Sequence, residues 1–304
     1  MKNKGVKALK TIEKKESGLF SSLDLKSAGY KTVYGIIVLL MLAVAVISVF
    51  PVLWVLMSAF KGLDEFLQVP PTIIPRSFHP EKIIKVWNEV SFGKYYVNSV
   101  ILIIGDVIFS VVINGVAGYV LSRINPKGSR IVFVLIFWTM LIPKTANMIP
   151  LFMSFVQIPH TSINITNTYL PMWLMAGANA FNVLLFKNYF SNIPMAYIEA
   201  ARIDGCSTLG IFARIIAPMS KPIIAVVTIF SVQAAWGQFF WPYLVISDQE
   251  KYPVSVILYK LQEADLSVDI YMMVMLFAIL PVLVLFTLFS KYIVDGANMS
   301  GVKG

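Results

Sequence analysis

Side chains that carry covalent chemistry are scarce in these 304 residues: one cysteine, Cys206, and two histidines, His79 and His160. A single cysteine excludes an intramolecular disulfide and any multi-cysteine metal site. Neither histidine has carboxylates at a spacing typical of zinc, so no metal site is expected. A P-loop needs Gly, four residues, then Gly-Lys-Ser/Thr. The one Gly-Lys pair, Gly93-Lys94, is followed by Tyr95, and Asn88 stands where the first glycine belongs. No catalytic residue and no P-loop binding of ATP are therefore expected. The chain instead sets polar groups inside apolar runs: Asp106, Asn114, Asn147, Gln157, Asn179, Asn182, Gln233 and Gln238. Such groups are expensive in lipid and are functional candidates by default. Asn147, Asn179, Asn182, Gln233, Trp236 and Gln238 combine amide donors and acceptors with an aromatic face, the mixture suited to passing a hydroxyl-rich solute. Trp241 and Tyr243 add to it. The alternative is interhelical hydrogen bonding for the amides, and interface anchoring for Trp54, Trp241 and Tyr243.

The elements that must position these groups follow from composition. Apolar residues make up 58% and charged residues 13%, about half the charge of a soluble domain. Six apolar runs approach or exceed the roughly 20 residues needed to cross a bilayer: 33–60, 95–122, 131–159, 168–186, 222–247 and 270–290. Only Asp106 and Lys144 are charged within them. Helices are expected, because lipid satisfies no free peptide group. Pro143 and Pro150 are expected to break the third run. The first run is too long for a signal-peptide core, and it reads as a retained span.

Of the 25 Lys and Arg residues, 17 fall in segments on one side and seven on the other, with Lys144 inside a run. The positive-inside rule then places both termini in the cytoplasm of a multi-pass protein of the cell membrane. The net charge of +9 is read as this topology signal and not as a nucleic-acid surface. The chain divides into a basic cytoplasmic tail (1–32), a six-span domain (33–294) and a short cytoplasmic tail (295–304). The external segment 61–94 can form a small lobe, with Glu81, Lys82, Lys85 and Glu89 on a solvated helix face.

The cytoplasmic loop 187–221 is the informative connection. Pro194 can open a helix over 195–203. Gly205 supplies the positive φ that ends it. Ser207 can cap a second helix over 208–216, which Pro218 stops. Ile198, Ile203, Leu209, Ile211, Phe212 and Ile215 make this hairpin too apolar for open water, so it must pack on its own bundle, on a partner or on the membrane interface.

Glu199-Ala200-Ala201-Arg202-Ile203-Asp204-Gly205, followed by Ile215 and Pro218, resembles the EAA motif of permease subunits of bacterial ABC importers. The fuller string is similar to the carbohydrate-uptake branch, typified by the smaller permease subunit of the maltose importer. The resemblance covers most of the chain. Asn98-Ser99, Ile149-Pro150 and the Ala235-Trp236 to Trp241-Pro242 stretch resemble family positions, and Gly296 with 301–304 looks like the family's tail. Ala217 replaces the usual Leu, and Gly237 and Gln238 replace an Asn and a Glu.

The resemblance implies an all-α, six-span type I importer permease whose EAA hairpin is a coupling helix seated on an ATPase. Glu199, Ala200, Ala201, Asp204, Gly205 and Pro218 would carry that coupling, with Ala200 and Ala201 keeping one face small. It implies a second homologous permease chain, a cytoplasmic ATPase dimer holding ATP and Mg²⁺, an extracytoplasmic solute-binding protein and a sugar or oligosaccharide substrate. A secondary transporter or channel acting without an ATPase is the competing reading, and it should show two similar halves. A membrane-embedded enzyme would need a clustered catalytic set.

Overall fold

The computed structural model describes residues 28–143, 145–264 and 266–301, with side chains from 29 to 287 apart from positions 144 and 265. Most of the basic tail, Lys144 and the end of the C-terminal tail lie outside the described residues. Within them every regular element is helical. The helices are α1 (Ala28–Ser58), α2 (Leu63–Phe66), α3 (Lys82–Glu89), α4 (Phe92–Tyr119), α5 (Ser129–Thr139), α6 (Met148–Val156), α7 (Leu170–Gly177) and α8 (Ala180–Ser191). They continue with α9 (Met195–Ile203), α10 (Thr208–Ile211), α11 (Ala217–Met219), α12 (Lys221–Gly237), α13 (Phe240–Val245), α14 (Val254–Glu263) and α15 (Val268–Gly301). Two π-helical turns, Val120–Ile124 and Phe212–Ile216, follow α4 and α10.

Three stretches, 29–58, 92–124 and 268–287, are continuous helices long and apolar enough to cross a membrane. The other three apolar runs are each divided in two: α5 with α6, α7 with α8, and α12 with α13. The third run breaks over 140–147, around Pro143. Pro150 does not break it. It lies in the first turn of α6, where its missing N–H costs nothing. Between α7 and α8 side chains satisfy the freed peptide groups. Asn114 donates from Nδ2 to Ala176 O at 2.9 Å and accepts from Asn179 N at 3.2 Å. Asn179 Oδ1 then caps α8 by accepting from Asn182 N at 3.2 Å. Irregular backbone at this depth needs such internal partners.

Helix α4 is the spine, packing on α7, α8 and α12. Its two ends sit in different apolar cores. Phe92 and Tyr95 join Ala59, Val86, Val254, Ile257 and the start of α15. Tyr119, at the other end, joins Phe186, Phe190, Ile198, Ile211 and Val227. Residues 92–124, at 1.5 Å rise each, run about 50 Å, well beyond a hydrocarbon core of about 30 Å. The two cores therefore lie at opposite ends of a helix long enough to cross a membrane. Helix α1 touches α15 and leaves most of its apolar surface open.

The lobe beside the first core is held by buried charge. Glu65 accepts from the backbone N–H of Arg76 and of Ser77, each at 2.9 Å, and from both hydroxyls, Ser77 at 2.8 Å and Thr72 at 3.1 Å. Lys82 Nζ donates to Lys61 O at 2.8 Å and pairs with Asp269 Oδ2 at 3.0 Å. Lys82 is buried, which corrects its placement on a solvated helix face. Glu81, Lys85 and Glu89 do face outward.

Candidate functional site

The loop after α8 folds into a helix–turn–helix whose boundaries follow local chemistry. Pro194 opens α9, and Asp204 closes it. Gly205 takes φ +77°. Cys206 N donates to Ala201 O at 2.9 Å, and Gly205 N to Arg202 O at 3.1 Å, the paired bonds of a Schellman ending. Ser207 Oγ accepts from Gly210 N at 3.2 Å and caps α10.

Pro218 does not stop the second arm. Helical structure runs through the π-helical turn to Met219, and the chain then bends by 79° into α12. The bend falls at Ser220, whose hydroxyl donates to Ile216 O at 2.6 Å while its N–H goes to Ala217 O at 3.1 Å. Pro218 is solvent-exposed on this arm.

The hairpin has two unlike faces. Ile198, Ala201, Ile211 and Ile216 point into the core built by Tyr119, Phe186 and Phe190. Burying a side chain of isoleucine size contributes about 1.5–3 kcal/mol, so three of them anchor the hairpin firmly on its own bundle. The opposite face leaves Ile203 86% and Leu209 74% exposed. Glu199, Ala200 and Asp204 are also exposed. Ala200 and Ala201 therefore do not share a face, because consecutive helical residues point about 100° apart. Ala201 packs inward, and Ala200 lies outward beside Glu199. Among the described residues Glu199 makes no ion pair. Such a face, a free carboxylate among open apolar side chains on a rigid base, is suited to seating a protein partner.

The polar path candidates separate on inspection. Asn182 is 5% exposed and gives Nδ2 to Ser110 Oγ at 2.8 Å. With Asn114 it forms a buried amide network tying α4 to the break between α7 and α8. Trp236 Nε1 donates to Ala278 O at 3.3 Å, and its ring meets Tyr96 edge-on at 5.7 Å. Gln233, Asn179 and Asn147 are exposed, and Gln238 is half-buried at the end of α12. Asp106 is buried and its Oδ1 has no hydrogen-bond partner among the described residues; nothing in the structure explains it.

Of a cluster beyond α12, the sequence pointed to Tyr243 alone and missed its partners. Phe239 stacks on Tyr243 at 5.2 Å and meets Tyr259 at 4.9 Å. Lys260 Nζ lies 4.9 Å from the Tyr243 ring and 2.9 Å from Glu263 Oε2. Helix α14 brings Tyr259 here from a segment that reads as loop, and its spacing from Tyr243 carries no signal. Groups of three or more potential metal ligands are absent among the described residues.

Residues 114–297 match the family described as binding-protein-dependent transport system inner membrane component. A probable ABC transporter permease protein, YurM of Bacillus subtilis, is 31% identical over 280 residues, covering 91% of this chain and 89% of the relative. The arabinooligosaccharides transport system permease protein AraQ of the same organism is 30% identical over 270 residues, covering 88% and 94%. The fold is similar to a chain in the crystal structure of a bacterial ABC transporter that imports the acidic polysaccharide alginate. The TM-score is 0.75 at 23% identity, over 91% of this chain and 99% of that one.

Proposed function

Because the chain belongs to the family of binding-protein-dependent transport system inner membrane components, we propose that it is the permease subunit of an ATP-driven importer of sugars or oligosaccharides. It forms half of a translocation path with a second, homologous permease chain. An extracytoplasmic binding protein delivers the solute. The relatives named for oligosaccharide transport support this solute class.

ATP and Mg²⁺ belong to a separate cytoplasmic ATPase dimer, since the sequence has no P-loop. This chain performs no covalent step. The two-faced hairpin carries the reading: its inner face is fixed to the bundle, and Glu199, Ile203, Asp204 and Leu209 are left for the ATPase. Closure of the ATPase dimer then moves the hairpin as a rigid body and tips the spans between outward- and inward-open arrangements. Six spans with both termini in the cytoplasm put the hairpin on the side where ATP is.

The solute path draws on Asn147, Asn179 and Gln233, which are exposed, and on half-buried Gln238, with Trp236 and Asn182 shaping the wall. A transporter or channel that works without an ATPase is the reading this displaces.

The test is recovery of the tagged chain from its native membranes in mild detergent, with mass spectrometry of what accompanies it. A second permease chain and an ATPase with a Walker A loop are expected. Glu199→Lys should keep the permease chain and lose most of the ATPase. A homo-oligomer without ATPase, even with an ATP analogue present, would overturn the importer reading.

A further inference from the structure

We propose that Arg123, with Tyr119 one turn before it, is the positioning pair that ties the hairpin to the spine helix α4 and passes hairpin movement to it. This rests on the reading of the hairpin as the ATPase-coupling element. Pro194 creates the need for Arg123. A helix continuing past α8 would give Phe190 O the N–H of residue 194, which proline lacks; Phe190 O accepts instead from Ile193 N at 3.1 Å, and its second lone pair is left for a side chain. Ile193 O lacks its helical donor as well, because Tyr197 N bonds to Pro194 O instead. One nitrogen of the Arg123 guanidinium, Nη2, donates to both carbonyls, Phe190 O and Ile193 O. Its Nη1 lies 3.7 Å from Met195 Sδ, in the first turn of α9. A cation on the carbonyl end of α8 also suits the helix dipole.

Tyr119 holds the other arm. Its hydroxyl donates to Thr208 O at 3.4 Å, and its ring centroid lies 4.9 Å from that of Phe212. Tyr119, the last residue of α4, and Arg123, four residues on in the π-helical turn, thus touch both arms of the hairpin, Arg123 at the entry to the first and Tyr119 at the start and middle of the second. Each grip meets an irregular turn. Tyr119 directly precedes the π-helical turn that contains Arg123, and Phe212 opens the second one. Single π-helical turns recur at functional positions because they let a helix re-aim its neighbours. Arg123 Nε is buried without a partner among the described residues, so the guanidinium is aimed by the two carbonyls and by no carboxylate.

The test is hydrogen exchange of the whole importer, purified through a tag on this chain, placed in lipid nanodiscs and read with and without Mg·AMP-PNP. In the native complex the nucleotide should change exchange in the hairpin, 195–219, and at the end of α4, 115–129. In Arg123→Met the hairpin should still respond, while the response at the end of α4 should fall about tenfold, the order of a typical coupling between sites. Arg123→Lys, which keeps a cation with several donors, should restore most of it. An unchanged response at the end of α4 in Arg123→Met would overturn the positioning role and leave the coupling reading intact. A native complex whose hairpin ignores the nucleotide would remove the coupling reading itself. Should Arg123→Met fail to assemble, Tyr119→Leu, which frees the Thr208 arm alone, is read by the same criteria.

Discussion

Glu65 carries the clearest pH signature outside the membrane. Hydrogen bonds from the backbone of Arg76, then of Ser77, hold its carboxyl down to about 2, against an ordinary 4.5. A depressed carboxyl contributes stability that is complete above its unfolded value and is lost as pH falls through its folded value. The lobe should therefore stay closed at pH 5 and above, and loosen between about 4.5 and about 2. Limited pepsin digestion reads this, because Phe66 and Leu67 lie beside the anchor. Cleavage there should rise across that window in the native chain. Glu65→Gln should already be open at the upper end, since its one amide oxygen can accept from only one of the Arg76 and Ser77 N–H groups and its N–H₂ opposes the other. A native profile matching the variant's would show that Glu65 does not hold the lobe.

At the level of elements, the packing of α4 depends on absent side chains. A Cβ at Gly118 would lie 2.6 Å from Phe186 Cβ and 2.9 Å from the backbone nitrogen of Lys187 on α8, and one at Gly105 would enter the Trp173 ring. The first contact includes backbone, which cannot swing aside. Gly118→Ala should thus force α4 and α8 apart, at a cost of about 1–3 kcal/mol typical of overpacking. A lowered Tm of the detergent-purified chain is the expected result, and an unchanged Tm would mean that the helices are not in close contact. These elements were unevenly legible in the sequence. Helix α9 and its Schellman ending could be read directly, because Pro194, Gly205 and Ser207 each act on the backbone within a few residues. The continuous helices α1, α4 and α15 could be read from apolar length. The division between α5 and α6 was signalled by Pro143, but those between α7 and α8 and between α12 and α13 could not be read. An apolar run looks the same whether or not its helix is broken, and the break between α7 and α8 is supported by Asn114, which is 62 residues from the Ala176 carbonyl it satisfies. The roles of Lys82 and Arg123 were equally hidden. Lys82 read as a residue of a solvated face and Arg123 only as part of the topology charge, until the fold brought carbonyls to them.

For the whole molecule, the decisive arrangement is that the lobe and the hairpin lie at opposite ends of one helix. Residues 92–124 are long and apolar enough to cross a bilayer from one face to the other. Val69, 95% exposed in the lobe, and Ile203, 86% exposed on the hairpin, should accordingly face different compartments. Cys206 is the only native cysteine, so Cys206→Ser gives a thiol-free background in which Val69→Cys and Ile203→Cys can be read separately. A membrane-impermeant maleimide added to intact protoplasts should label position 69 and spare position 203, and inside-out vesicles should reverse the pattern. The opposite result would turn the chain over and remove the hairpin from the side where an ATPase can reach it. Labelling of both positions from one side would mean that α4 does not cross the membrane, and the division into lobe, spine and hairpin would fall with it.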